Sequence, residues 1–264
     1  MLYRLNKYLL HYNFFISICA VCLVLYFSIV THTKINPVVY PMTFFGTLAA
    51  YNLFRLYPDI QEYLKHKSLT TFKLILLSLA LSGFCYLLLP KELKLLYILP
   101  LLLALLYKFP FINHKDLRSV PFAKVFIIAT VWILTGAIPV IKEFSSGNSF
   151  NHQLWLRMLA QFFFFIAITI PFDVFDMEKD QIKTFATGMG KDKAIFLAKI
   201  ALALHLLLAI YVSENNREVW AHGLIVFITY ITLSLHRYLT SRKWQYYCVD
   251  GLIILQTIFI LLLH

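Results

Sequence analysis

Three aspartates, Asp173, Asp176 and Asp180, lie in the stretch PFDVFDMEKDQIKT, directly behind the apolar run QFFFFIAITI. On a helix, their i, i+3, i+7 spacing turns them to within about 60° of one another and makes one acidic edge two turns long. Glu178 projects to the opposite side. Carboxylates this close repel one another, and a cation held between them relieves the repulsion. Hard divalent cations take carboxylate oxygens, and magnesium completes its octahedron with water and substrate phosphates. Acids holding Mg2+ at the rim of an apolar cavity suit a lipid diphosphate, with its charged head at the metal and its tail among the helices. The same spacing also fits an acidic helix end at a membrane surface, paired with Lys179 and Lys183.

The elements that must position these acids are apolar. The 264 residues are 60% hydrophobic and 14% charged, whereas soluble domains carry about a quarter charged residues. The expected solvent is therefore the bilayer, and a large soluble domain is excluded. A spanning helix takes about 20 apolar residues, and runs of that order fall near 13–31, 38–57, 70–90, 94–109, 120–141, 153–173, 193–212, 219–237 and 246–263. The expected fold is all-α: a polytopic bundle of nine transmembrane helices forming one domain over residues 1–264. The stretch LLLPKELKLL predicts a tight hairpin between the third and fourth helices. The first run has no small-residue cleavage site behind it and reads as a retained span.

A net charge of +11 is read here as loop bias rather than as affinity for nucleic acid. Lys65, Lys67, Lys108, Lys115, Arg118, Lys191 and Arg242 fall in loops or helix ends on the N-terminal side of the bundle. Fewer basic residues, among them Lys34, Lys142 and Arg217, fall on the other. The positive-inside rule then puts the N-terminus in the cytoplasm. The longer polar loops share that face, so polar chemistry is expected there, in a multi-pass protein of the cell membrane. EFSSGNSFNH and SENNRE on the far side read as solvated connectors. Cys19, Cys22, Cys85 and Cys248 lie in or at the edge of apolar segments and read as packing residues. No Walker loop, zinc signature or nucleophile elbow occurs.

PFDVFDMEKDQIKTFATGMG resembles the second aspartate-rich motif of the UbiA superfamily of intramembrane prenyltransferases, a D-x-x-D-x-x-x-D followed by a Lys/Thr- and Gly-containing stretch. The resemblance implies nine transmembrane helices, with Asp173, Asp176 and Asp180 as the metal-binding catalytic acids. It also implies a role for Lys183 beside the diphosphate. LLYKFPFINHKDLRSVPFAK looks like the family's Tyr- and Lys/Arg-bearing loop, which gives Tyr107, Lys115 and Arg118 as diphosphate contacts; a solvated basic loop is the alternative. The family's first motif, N-D-x-x-D-x-x-x-D, falls on YNLFRLYPDI. Asn52 is present, but Leu53, Leu56 and Ile60 stand in the acidic places, with Asp59 one residue out of register. Arg55, one turn after Asn52, either meets a phosphate directly or anchors its helix by snorkelling.

Lys199 and His205 lie inside the seventh run, where an ionisable group is a functional candidate by default. Lys199 is near enough to the helix end to snorkel, and His205 can stay neutral and bond a neighbouring helix. Aromatic residues suit a cavity that stabilises an allylic cation, although Phe162 to Phe165 must face several directions. The resemblance implies Mg2+-assisted prenyl transfer from a polyprenyl diphosphate to an aromatic or other lipid-soluble acceptor. The degenerate first motif leaves open a relative that binds isoprenoids without turning them over. A small-molecule transporter is the third reading.

Overall fold

A computed structural model describes residues 7–56, 69–109, 116–145, 152–178, 182–236, 241 and 245–263. Each of the nine apolar runs coincides with a helical segment: α1 Phe14–Val30, α2 Val39–Leu56, α3 Leu69–Leu88, α4 Lys91–Lys108, α5 Ala123–Ser145, α6 His152–Asp176, α7 Lys191–Val212, α8 Asn216–Ser234 and α9 Gly251–Leu263. A π-helical turn, Tyr246–Asp250, runs into α9. No strand occurs among the described residues. Five segments are long and apolar enough to cross a membrane: α5, α6 and α7, most of α3, and Tyr246–Leu263.

Neighbour packing closes a circuit α5–α6–α7–α8–α9–α1–α5, with α2 stacked on α1, α3 stacked on α2, and α4 laid against α5. The tight turn expected between α3 and α4 forms, with Pro90 at the start of α4 and its carbonyl accepting from Lys94 N at 3.1 Å, but the two helices diverge from it rather than packing as a hairpin, α3 lying on α2 and α4 on α5. The central core gathers Leu23, Phe27, Trp132, Phe164, Phe165 and Ile170. Leu76, Phe84 and Leu87 of α3 and Leu95 and Leu101 of α4 face outward, as expected of helices whose outer solvent is lipid. Gly136 shows how tightly α1 and α5 cross: a Cβ there would lie 2.6 Å from Leu23 Cγ.

The connector SENNRE does not behave as plain solvated surface. Glu218 is fully buried and forms an ion pair with Arg157, itself 2% exposed. A second guanidinium nitrogen lies 3.5 Å from the other Glu218 oxygen, and Glu214 N donates to the same carboxylate at 3.0 Å. Asn215 caps the turn by accepting from Glu218 N at 2.9 Å. His222 and His205 pack edge to face beside this pair, and His205 Nδ1 lies 2.8 Å from Ala160 O. The neutral, helix-bonding role open to His205 is the one its geometry fits. The other ionisable group of that helix, Lys199, lies over the Tyr230 ring at 4.6 Å. Arg157 and Glu218 are 61 residues apart, a pairing that helical periodicity does not disclose. They tie α6 to α8 at the end of the bundle opposite Asp173.

Candidate functional site

α6 carries its polar end out of the core on a register set by the preceding aromatics. Phe165 and Phe172 are two turns apart on one face. Phe165 stacks on Trp132 of α5 at 5.2 Å, and Phe172 meets Tyr246 at 6.1 Å. Asp173 follows and is 1% exposed. Its Oδ1 lies 2.7 Å from Lys124 Nζ, a lysine on the first turn of α5 that is itself buried. A buried carboxylate is tolerable only with such a partner. Asp176 closes α6 one turn later and is half-buried. Asp180 and Lys115 lie outside the described residues, as does Asp59.

Two loops meet beside this helix end. In the first, Asp116 caps the one-turn 3-10 helix Leu117–Ser119 by accepting from Ser119 N at 2.9 Å, and Arg118 sits half-buried on that turn. The second holds a one-turn helix, Phe185–Met189, started by a reciprocal Thr184–Thr187 capping box. Gly190 ends it at φ 87°, a conformation that only glycine adopts easily. The loops are pinned together: Phe122 N donates to Lys183 O at 2.9 Å, and the Phe122 ring lies 5.4 Å from that of Phe185. Lys183 Nζ lies 5.7 Å over the Phe122 ring. Lys124 at the start of α5 meets Asp173, and Arg118 and Lys183 lie on the two loops that adjoin α5 and α6 there. At the rim, Glu178 pairs with Lys191 at 3.7 Å.

The α2 residues behave differently. Asn52 is 1% exposed and fully used within the fold: its carbonyl accepts from Asn13 Nδ2 at 3.1 Å, and its amide donates to Tyr12 O and Leu48 O at 3.0 and 2.7 Å. It braces α2 against the segment that enters α1. Arg55 donates to the His11 carbonyl in the same segment. Tyr107 is half-buried near Tyr51.

A divalent cation here has Asp173 and Asp176 to work with, two hard oxygen donors one turn apart on one helix. No group of three His, Cys, Asp or Glu side chains poised for a metal occurs among the described residues. On α2, Leu53 offers no donor. Among the described residues the donors suit one cation on the α6 side and offer none to a second on α2.

Sequence reasoning counted Lys124 only as an inside charge and passed over Asp250. That acid lies one turn into the last helical segment, 8% exposed, and its signal was a single carboxylate inside an apolar run. Tyr51 of α2 lies within electrostatic reach of it.

No protein-family model matches the sequence, and neither does any curated protein. Solved structures do match. An apo UbiA homolog from Aeropyrum pernix K1 superposes with a TM-score of 0.69 at 12% identity, covering 94% of this chain and 98% of that one. A UbiA homolog from Archaeoglobus fulgidus bound to Cd2+ gives 0.61 at 16% identity, over 91% and 95%. A digeranylgeranylglyceryl phosphate synthase gives 0.54 at 14% identity, over 92% and 90%. Matched over nearly its whole length, the chain has the fold of these UbiA homologs.

Proposed function

We propose that this is a multi-pass membrane protein of the UbiA superfamily that transfers a prenyl group from a polyprenyl diphosphate to a lipid-soluble acceptor. In this reading nine helices cross the cell membrane, the N-terminus is cytoplasmic, and the acidic end of α6 lies on the cytoplasmic face. The observation that carries it is the buried Asp173–Lys124 pair at 2.7 Å, set at the end of an aromatic-lined helix beside the loops that carry Arg118 and Lys183. Asp173 and Asp176, with Asp180 beyond the described residues, would hold one Mg2+, which supplies Lewis-acid stabilisation to a departing pyrophosphate. Lys124, Arg118 and Lys183 place fixed positive charge beside the same head group, stabilising the anion that builds up as the allylic bond breaks. The aromatic face of Trp132, Phe165, Phe172 and Tyr246 receives the first isoprene units and shields the cationic carbon from water.

A second reading has support of its own. Among the described residues α2 offers no acid to a second cation, and Asn52 is spent on structure, so the site also suits a protein that holds isoprenoid diphosphates without cleaving them. Purified protein incubated with Mg2+, a labelled prenyl diphosphate and a panel of acceptors separates the two. Prenyl transfer predicts pyrophosphate release and a labelled product, with Asp176→Asn lowering turnover by about 100-fold or more, the scale on which one lost contact to developing charge is felt. Saturable binding with no pyrophosphate release would establish the second reading. Turnover unchanged in Asp176→Asn would remove the α6 acids from the site.

A further inference from the structure

The Asp173–Lys124 pair is built unlike a structural ion pair. Lys124 stands on the first turn of α5, and Asp173 on the last turn of α6. A helix is electropositive at its N-terminus and electronegative at its C-terminus, so each charge occupies the helix end of its own sign. Both side chains are also buried, Asp173 to 1% exposure and Lys124 to 9%. Desolvation and dipole therefore oppose both charges, and the contact at 2.7 Å is what offsets them. The pair at the other end of the bundle is better placed. Glu218 lies in the first turn of α8, where the dipole favours an acid. It faces two guanidinium nitrogens of Arg157 and accepts a backbone N–H as well.

The residue types differ in the same direction. Arginine presents a rigid fork that locks a carboxylate, whereas lysine is a point charge on a flexible stem and changes partners readily. The Lys124 ammonium sits on the carboxylate oxygen that a divalent cation would also need. Its backbone, by contrast, is fixed. The chain enters α5 through Phe122 at φ 63°, a conformation unfavourable to a bulky residue. Phe122 is held there by the Lys183 carbonyl and by Gly188, where a Cβ would lie 2.9 Å from the Phe122 ring. The root of Lys124 is thereby anchored two residues on, and its stem is the part free to swing.

We infer that Lys124 is a resident cation that keeps the metal place at Asp173 closed until a diphosphate arrives. In the resting protein its ammonium neutralises Asp173 and shuts out a divalent cation. A diphosphate entering beside Arg118 and Lys183 draws the Lys124 ammonium onto a phosphate oxygen. Asp173 is then released to bind, with Asp176, the cation that the diphosphate brings. Metal and substrate enter together, and Asp173 is at no stage a bare anion inside the bundle. This rests on the prenyl-transfer reading for the diphosphate, but the closed state can be measured with metal alone.

The test uses the full-length protein in detergent, with Mn2+ as the metal probe, farnesyl diphosphate as its companion and protein-free micelles as the blank. Mn2+ retained in equilibrium dialysis is the readout. Native protein is expected to retain Mn2+ only when the diphosphate is present. Lys124→Met should retain Mn2+ alone, at least about 100-fold more tightly than native protein, because no buried ion pair has to be broken first. Lys124→Arg should stay closed, and Lys124→Met combined with Asp173→Asn should lose the metal again. Mn2+ alone should raise the unfolding midpoint of Lys124→Met and leave that of native protein unmoved. Native protein that retains Mn2+ as tightly without the diphosphate as with it overturns the inference, whatever the variants do. A folded Lys124→Met that still excludes Mn2+, or a double variant that keeps it, overturns it too. Native protein that binds the diphosphate yet retains no Mn2+ overturns the exchange. Mn2+ gained by Lys124→Met while native protein binds no diphosphate would instead overturn the prenyl-transfer reading and leave the closed place standing.

Discussion

The pairing of Asp173 with Lys124 sets the electrostatics of the inner site, and that of Glu218 with Arg157 fixes the opposite end. Both rest on one rule: a charge removed from water needs a partner within bonding distance. Removing one member leaves the other uncompensated, so Glu218→Gln should destabilise the protein by about 3–5 kcal/mol, read as a lower thermal unfolding midpoint in detergent. Replacing both at once, as Arg157→Met with Glu218→Leu, should recover most of that loss, since well-packed apolar residues often replace a buried ion pair without cost. A double variant no more stable than the single one would show that the pair holds α6 and α8 in a register that packing alone does not specify. Asp173 and Asp176 were readable from spacing, because one helical turn separates them on the chain. Lys124 and Glu218 were not, because their partners are supplied by helices far away in sequence.

Among the elements, the nine helical segments follow the apolar runs closely, since hydrocarbon leaves the backbone no partner but itself. What the runs did not disclose is punctuation within the polar stretches. The one-turn helix Phe185–Met189 owes its start to Thr184 and Thr187, and the π-turn at Tyr246–Asp250 has no signature in periodicity. Helix crossings likewise depend on which small residue meets which large one. The α1–α5 contact at Gly136 leaves no room for a side chain, with Leu23 Cγ 2.6 Å from the place of a Cβ. Gly136→Val should therefore cost about 1–3 kcal/mol by overpacking, whereas Gly223→Ala, where a Cβ meets nothing within 4 Å, should be close to neutral. Equal unfolding midpoints for the two variants would mean that the α1–α5 crossing is looser than described.

For the whole molecule, the two ends of the bundle are chemically unlike. One bears Asp173 and Asp176 at the end of α6 and Lys124 at the start of α5, beside the pinned loops that carry Arg118 and Lys183, and the other is closed by a buried ion pair and two packed histidines. If the first end is cytoplasmic, a cysteine placed at Lys193 should react with an impermeant thiol reagent only in inverted vesicles, and one at Arg217 only in intact cells; both positions are exposed. The opposite pattern would invert the orientation derived from the loop charges. The central claim, that the acid-and-lysine end recognises an isoprenoid diphosphate head, is tested most directly by equilibrium binding to the purified protein. A polyprenyl diphosphate should bind saturably in Mg2+, the matching prenyl alcohol far more weakly, and Asp176→Asn should abolish the difference. Diphosphate and alcohol bound alike by native protein would contradict it.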